Sequence, residues 1–301
     1  MQFVVLDLEW NNVYGKKIKS FFNEIIEIGA VKLDEQLNIC DEFSCLIKAQ
    51  VGKKLRLNTR QITHLTNEDL ENGVTFPRAI SLFKKWIGSE ETVTLSWGDG
   101  DVRTLIDNGK YFGLGEEVPY LQNYADLQKY FQRMIKRESK QQIGLKNAAE
   151  LVGIDVENLS LHRALDDSRL AAECLKKIYD KKILEEYIYK CDADFYKRLR
   201  YKIKVISFIK NPLVDKSYLK YKCEKCGGKA QQLTSWKYSN QYFRANFYCP
   251  KCDHAVTVMV RFRKMYDSTE IKKVIKPLPK AENSEQKPES QENDNGKIQT
   301  P

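Results

Sequence analysis

Phe3-Val4-Val5-Leu6-Asp7-Leu8-Glu9 is the stretch that decides the fold. Its apolar start, β-branched at the centre, reads as a buried strand rather than a turn of helix. Residues two apart on a strand share a face, so Asp7 and Glu9 project together from the end of an apolar run. Two like charges there repel each other and lose hydration unless a cation or a basic partner compensates. Hard oxygen donors at this spacing suit Mg²⁺ or Mn²⁺. Taken alone, the pair also fits a strand end whose acids simply face water.

Outward from this strand, a polar loop over residues 11–20 leads to two further strands, expected over 24–33 and 42–47, that form a meander with the first. Helical patterns follow over 67–71 and 77–87, the latter with Pro77 at a favoured helix start and Gly88 near its stop. A short strand over 92–96 precedes helices expected over 102–108, 124–134, 145–152 and 164–181. Three strands and then alternating strands and helices indicate an α/β domain built on a mixed sheet.

Two more places carry chemistry. The strand at 92–96 runs into Trp97-Gly98-Asp99-Gly100-Asp101, where Asp101 can cap the next helix or serve as a ligand at the strand's exit. At His162-Arg163-Ala164-Leu165-Asp166-Asp167, one of only three histidines stands just before a helix whose start carries two acids.

Together these residues resemble the three motifs of the DEDDh 3′–5′ exonucleases: Asp7-Leu8-Glu9, an Asp after the strand near residue 100, and His162 followed five residues later by Asp167. The stretch from Asn23 to Val31 is similar to the family's second strand. Ile62-Thr63-His64-Leu65-Thr66 is similar to its I-x-G-[IL]-T turn, with His64 where the family has Gly. Within the family, Trp97-Gly98-x-x-Asp101 and His162-Arg-Ala-Leu-Asp-Asp-Ser168 look most like the Eri-type and KapD-type enzymes. The resemblance covers about residues 1–183. It implies a ribonuclease H-like mixed five-stranded sheet flanked by helices. It also implies two Mg²⁺ or Mn²⁺ ions, about 4 Å apart, held by Asp7, Glu9, Asp101 and Asp167. His162 would be the general base toward the attacking water, and the product a nucleoside 5′-monophosphate. Asp99 competes with Asp101, which the four-residue offset from Trp97 favours, and Asp166 competes with Asp167, which the family's step from His162 selects. Trp10 is a candidate for stacking a terminal base, with packing at the strand end as the alternative, and Trp97 is a further candidate substrate contact.

The chain has 301 residues, 42% of them apolar and 33 of them aromatic, which excludes wholesale disorder. No apolar run approaches a membrane span. The start Met1–Trp10 is too short an apolar stretch and carries acids too early, at Asp7 and Glu9, for a signal peptide, so a cytoplasmic setting is expected. The net charge of +9 is unevenly spread. Residues 1–195 carry 27 Lys and Arg against 31 Asp and Glu, whereas 196–264 carry 17 against 3. The expected organisation is an exonuclease domain over 1–183, a basic connection over 184–218, a small β zinc ribbon over 219–264 and a mostly disordered tail over 265–301. Cys223-x2-Cys226 and Cys249-x2-Cys252, separated by 22 residues, fit one structural Zn²⁺ held by four thiolates, with His254 as a possible substitute ligand. Cys40, Cys45, Cys174 and Cys191 are expected to be core or half-buried thiols. Ribbon strands are expected over 229–236, 242–248 and 255–263. Its basic residues alternate with Tyr201, Phe208, Tyr218, Tyr221, Trp236, Tyr238, Tyr242 and Phe243, a pattern suited to phosphates and stacked bases.

The expectation is a metal-dependent 3′–5′ exonuclease on single-stranded nucleic acid, with RNA favoured over DNA and no membrane partner. The alternatives are a non-catalytic nucleic-acid-binding protein that keeps the nuclease fold, and a DNA proofreading exonuclease.

Overall fold

β1 (Gln2–Gly15) is a central strand because apolar residues leave both its faces: Val4, Leu6 and Leu8 enter one cluster, Phe3 and Val5 another. The computed structural model describes residues 2–136, 141–157 and 162–278. They fall in two units, Met1–Arg200 and Tyr201–Pro301.

In the first unit β1 pairs antiparallel with β2 (Ser20–Leu33), and β2 with β3 (Ile39–Leu46). After α1 (Leu57–Thr63), α2 (Asn67–Glu71) and α3 (Phe76–Ile87), the chain returns as β4 (Thr92–Ser96), parallel to β1. α4 (Gly100–Phe112) leads to β5 (Asn123–Asp126), parallel to β4. Then come α5 (Leu127–Met134), α6 (Leu145–Leu151), α7 (Ala164–Ile178) and α8 (Lys181–Glu185). β6 (Ile188–Lys190) adds antiparallel to β5, and α9 (Ala193–Arg200) closes the unit. The sheet order is β3-β2-β1-β4-β5-β6. Helices α3, α4 and α9 fill the cluster on one face, and α5, α7 and α8 fill the other. This is the mixed-sheet α/β architecture expected, with β6 as a sixth, three-residue strand beyond the five.

Several boundaries differ for identifiable reasons. Residues 11–20 are not a loop: β1 and β2 continue into a long hairpin, in which Asn11 is fully buried and accepts from the Arg56 N–H and the Thr59 hydroxyl. The helix expected from 124 starts at Leu127, because Asp126 ends β5 and caps the helix by accepting from the Lys129 N–H at 2.9 Å. The helix expected to reach 181 stops at Ile178, and Asp180 caps a separate short helix. Cys40 is exposed rather than half-buried. At His64 the turn survives the loss of glycine: the residue adopts φ 57°, and its N–H reaches the Arg60 carbonyl at 3.0 Å to close α1.

The second unit is a β structure of β7 (Lys204–Val205), β8 (Gln231–Gln232), β9 (Lys237–Ser239), β10 (Tyr242–Cys249), β11 (His254–Lys264) and β12 (Thr269–Pro277). β11 lies between β10 and β12, both antiparallel to it. β12 corrects the expectation of a tail from 265: Ile271 and Ile275 reach the core between lysines, a weak pattern in sequence. Residues 279–301 of that expected tail lie outside the described residues. The strand expected over 229–236 shrinks to the two residues of β8. Of the interleaved aromatics, Tyr221 and Phe243 are buried and Trp236 packs on the same core, while Phe208, Tyr218 and Tyr238 are exposed. Unit division after Arg200 gives residues 184–200 to the first unit as α8, β6 and α9, in place of a free connection.

Candidate active site and thiolate cluster

Strand parity aims Asp7 and Glu9 at the face that carries Phe3 and Val5, the face that α7 covers. Opposite them on β2 stand Gly29 and Glu27, in register with Asp7 and Glu9 respectively. Gly29 lets α7 approach: a Cβ there would sit 2.1 Å from the Ala164 carbonyl carbon and the Leu165 nitrogen. The Ser168 hydroxyl fastens the contact, donating to the Gly29 carbonyl at 2.9 Å. Glu27, only 1% exposed, takes both nitrogens of the Arg163 fork, at 3.1 and 2.8 Å, and lies 3.3 Å from the Ala164 N–H. The first turn of α7 is therefore pinned against the carboxylate strand, and it carries Asp167.

His162 precedes this turn with φ 73°, and its backbone N–H donates to Asp167 Oδ2 at 3.2 Å. Its side chain is exposed. One ligand atom from each of Glu9, His162 and Asp167 lies within 4.8 Å of the others. The fourth acid comes from α4. Asp99 takes the N-cap position and turns outward to Arg103 at 2.9 Å, while Asp101 in the first turn is 5% exposed. Asp101 accepts from the Leu8 N–H. Leu8 lies beyond the β1–β4 pairing, which ends at Val5, so its N–H is free for this bond.

The electrostatics follow from crowding. Burial, then the charges of Asp101, Asp167, Glu9 and Glu27, hold the Asp7 carboxyl far above the usual carboxylate range. Burial and the charges of Asp167, Glu27 and Asp101 push Glu9 up to about 8, against the relief from Arg163. Burial raises Asp101 to about 7, despite the hydrogen bonds it accepts, and burial raises Asp167 as well. Asp7, Glu9, Asp101 and Asp167, crowded together while the Arg163 guanidinium is taken by Glu27, cannot all ionise unless further positive charge arrives. A divalent cation held by carboxylate oxygens fits this donor set.

Asp7, Glu9, Asp101, His162 and Asp167 are thus brought together, and Asp166 is not: it turns aside to Arg169 at 2.8 Å. Trp97 packs on Phe131 and donates its indole N–H to the Ile143 carbonyl at 2.9 Å, which commits the ring to the fold. Trp10 is half-buried at the bulge directly after Glu9 and packs on the central cluster. Glu27 and Arg163 escaped the sequence reading. Their signal was an acid inside the apolar run Ile25–Ile28 and an arginine directly after His162.

In the second unit the two cysteine knuckles close on each other. Cys223 and Cys252 Sγ lie 3.9 Å apart, Cys226 and Cys249 Sγ 3.7 Å, and His254 Nε2 reaches Cys223 Sγ at 4.0 Å. Both knuckles have the same backbone form. The Lys225 and Cys226 N–H groups donate to Cys223 and hold its thiol down to about 7 against the effect of burial; those of Lys251 and Cys252 donate to Cys249. The residue after each second cysteine is left-handed, Gly227 at φ 69° and Asp253 at φ 44°. Ligand atoms of Cys223, Cys249, Cys252 and His254 all lie within 4.8 Å of one another, so three of the four cysteines and His254 form a candidate metal-binding cluster, with Cys226 beside it on Cys249.

The family profile described as exonuclease, RNase T, matches residues 4–175. Among solved structures, the nuclease domain of 3′hExo, a DEDDh family member bound to rAMP, is 22% identical with a TM-score of 0.52, the match covering 58% of this chain and 90% of that one. The 3′-exonuclease solved in 3′-end specific recognition of a histone mRNA stem-loop is 20% identical with a TM-score of 0.53, covering 63% and 84%. Cell-death related nuclease 4 is 18% identical with a TM-score of 0.50, covering 58% and 62%. At these identities the likeness is one of fold. No curated protein matches the chain significantly.

Proposed function

The chain belongs to the RNase T family of exonucleases, and from that premise we propose that it hydrolyses single-stranded nucleic acid from the 3′ end, releasing nucleoside 5′-monophosphates. The observation that carries this is the convergence of Asp101 from α4 and Asp167 from α7 on Asp7 and Glu9 of β1. Asp7, Glu9, Asp101 and Asp167 would hold two Mg²⁺ or Mn²⁺ ions. When bound, these would act as Lewis acids on the oxygens of the scissile phosphodiester. His162, exposed at the mouth and tied to Asp167 through its backbone, takes the proton of the attacking water. Glu27 and Arg163 position α7 and lend the site its one guanidinium. Trp10 is the remaining candidate for stacking a terminal base.

RNA is the favoured substrate, on the likeness of the Trp97–Asp101 and His162–Ser168 stretches to the Eri-type and KapD-type enzymes. The cluster of Cys223, Cys249, Cys252 and His254, with Cys226 beside it, suits one structural Zn²⁺, and a reducing, cytoplasmic setting fits its thiols. Matched RNA and DNA 20-mers, labelled at the 5′ end, test the reading in Mg²⁺ or Mn²⁺. It predicts ladders that shorten from the 3′ end, faster for RNA, and lost on Asp7→Asn. Equal degradation by wild type and Asp7→Asn would sink the enzyme assignment. Faster DNA digestion would sink the RNA preference alone.

A further inference from the structure

The sheet of the second unit has a face that neither its core nor its thiolate cluster uses. Phe243, Ala245 and Phe247 point into the core, so Tyr242 and Arg244 leave the opposite side of β10. On β11 the same parity sends Thr257, Met259, Arg261 and Arg263 to that side. β12 adds Lys272 opposite Arg261, Val274 opposite Met259 and Lys276 opposite Thr257. Tyr242, Arg244, Thr257, Met259, Val274 and Lys276 line one shallow depression of about 470 Å³.

The charge on this face is unspent. Arg263 meets Glu270 at 3.6 Å, but neither Arg244 nor Arg261 has a carboxylate partner among the described residues. The Nε atoms of Arg244, Arg261 and Arg263 are all buried without a hydrogen-bond acceptor. All three side chains are only half-buried, so the rest of each guanidinium stays open to an anionic acceptor. Arg261 lies over the Tyr242 ring at 5.1 Å from its centroid, which sets a flat cation beside a flat aromatic on the face that also carries Met259. An acidic peptide would answer the arginines but not the flat rings. A polymer of phosphates and bases answers both.

We propose that this face binds a single-stranded polynucleotide, its phosphates on Arg244, Arg261 and Arg263 and a base stacked at Tyr242. The proposal rests on the reading that the chain acts on nucleic acid, and it assigns the grip to residues outside the carboxylate site. The test is fluorescence anisotropy with labelled 20-mer oligo(U) and oligo(dT) over a range of salt. It uses the full chain carrying Asp7→Asn, so that the probe survives. Arg244→Gln with Arg261→Gln should weaken binding about tenfold or more and lower the slope of log K against log salt by roughly 2. Tyr242→Ala should weaken it and Tyr242→Phe restore it, as stacking requires. Lys210→Gln with Lys216→Gln, which removes equal charge elsewhere in the unit, should leave affinity within about twofold.

Unchanged affinity and slope in a folded Arg244/Arg261 variant overturns the proposal. So does displacement of the probe by polyglutamate at equal charge, which assigns the face to an acidic protein. A wild-type chain that binds the probe and never degrades it contradicts the nuclease reading and leaves this face standing.

Discussion

Asp99 and Asp101 are two residues apart and live in opposite environments. Asp99 shares solvent with Arg103, an exposed pair worth at most about 1 kcal/mol. Asp101 is buried among acids and held near 7. Asp99→Asn is therefore expected to leave turnover within about twofold, while Asp101→Asn should lower it by roughly 10² or more, on the scale of losing one electrostatic contact in the transition state. Steady-state rates on a short oligonucleotide check both. Without metal, Asp101→Asn should also raise the melting temperature, because it removes a buried charge. The raised carboxyls of Glu9 and Asp101 give the sign of the pH effect. Between about pH 4 and pH 8 the folded chain keeps protons that the unfolded chain has released. Stability of the metal-free protein therefore falls as pH rises, by about 1.4 kcal/mol per pH unit for each fully retained proton. Mn²⁺ should restore it, more strongly at pH 8 than at pH 5, and melting curves at both values read this directly. A metal effect that is larger at pH 5 would contradict the ligand assignment.

Elements carry the residues to their places. The most sensitive contact is between β2 and the start of α7. Gly29→Ala should disturb it severely, since the new methyl would overlap the Ala164 carbonyl carbon, and no flexible side chain is there to yield. Expected are a destabilisation on the scale of an overpacked core, about 1–3 kcal/mol or more, and loss of activity through Asp167. Denaturant melts together with metal titration check this. His64→Gly should act in the other direction and stabilise by up to about 1 kcal/mol, since the left-handed C-cap of α1 suits glycine. Much of this layer was legible in the sequence. β1 announces itself by the unbroken apolar run Phe3–Leu6, β4 by β-branched Thr92, Val93 and Thr94, and α3 by its proline and glycine ends. What was hidden depended on partners far along the chain. The polar end of β1 reads as loop until Asn11 is seen buried under the backbone of Arg56. β5 is four residues long and runs straight into α5, so its period is lost in the helix. Glu27 reads as an ordinary strand acid until Arg163, 136 residues away, closes on it.

The whole molecule divides its charge by unit. Met1–Arg200 carries 30 Lys and Arg against 31 Asp and Glu, and residues 201–278 carry 17 against 5. The near-neutral unit gathers five of its acids where cations would sit, and the basic one carries the cysteine–histidine cluster and one sheet. The Zn²⁺ proposed for that cluster would hold a small β unit of this kind together. Stripping it with a thiol-competing chelator should therefore lower the melting temperature of one transition by ten degrees or so and leave the other within about two. Calorimetry with and without chelator reads both, and a single transition that shifts as one would contradict the division. The central claim is hydrolysis at the 3′ end by the Asp7, Glu9, Asp101, His162 and Asp167 constellation. Digestion of a single-stranded RNA in ¹⁸O-labelled water with Mg²⁺, followed by mass analysis of the first product, tests it most directly. Wild type should form a nucleoside 5′-monophosphate with one ¹⁸O on its phosphate, and Asp7→Asn should not. A 3′-phosphate or cyclic product, internal fragments, or an unlabelled mononucleotide would contradict it.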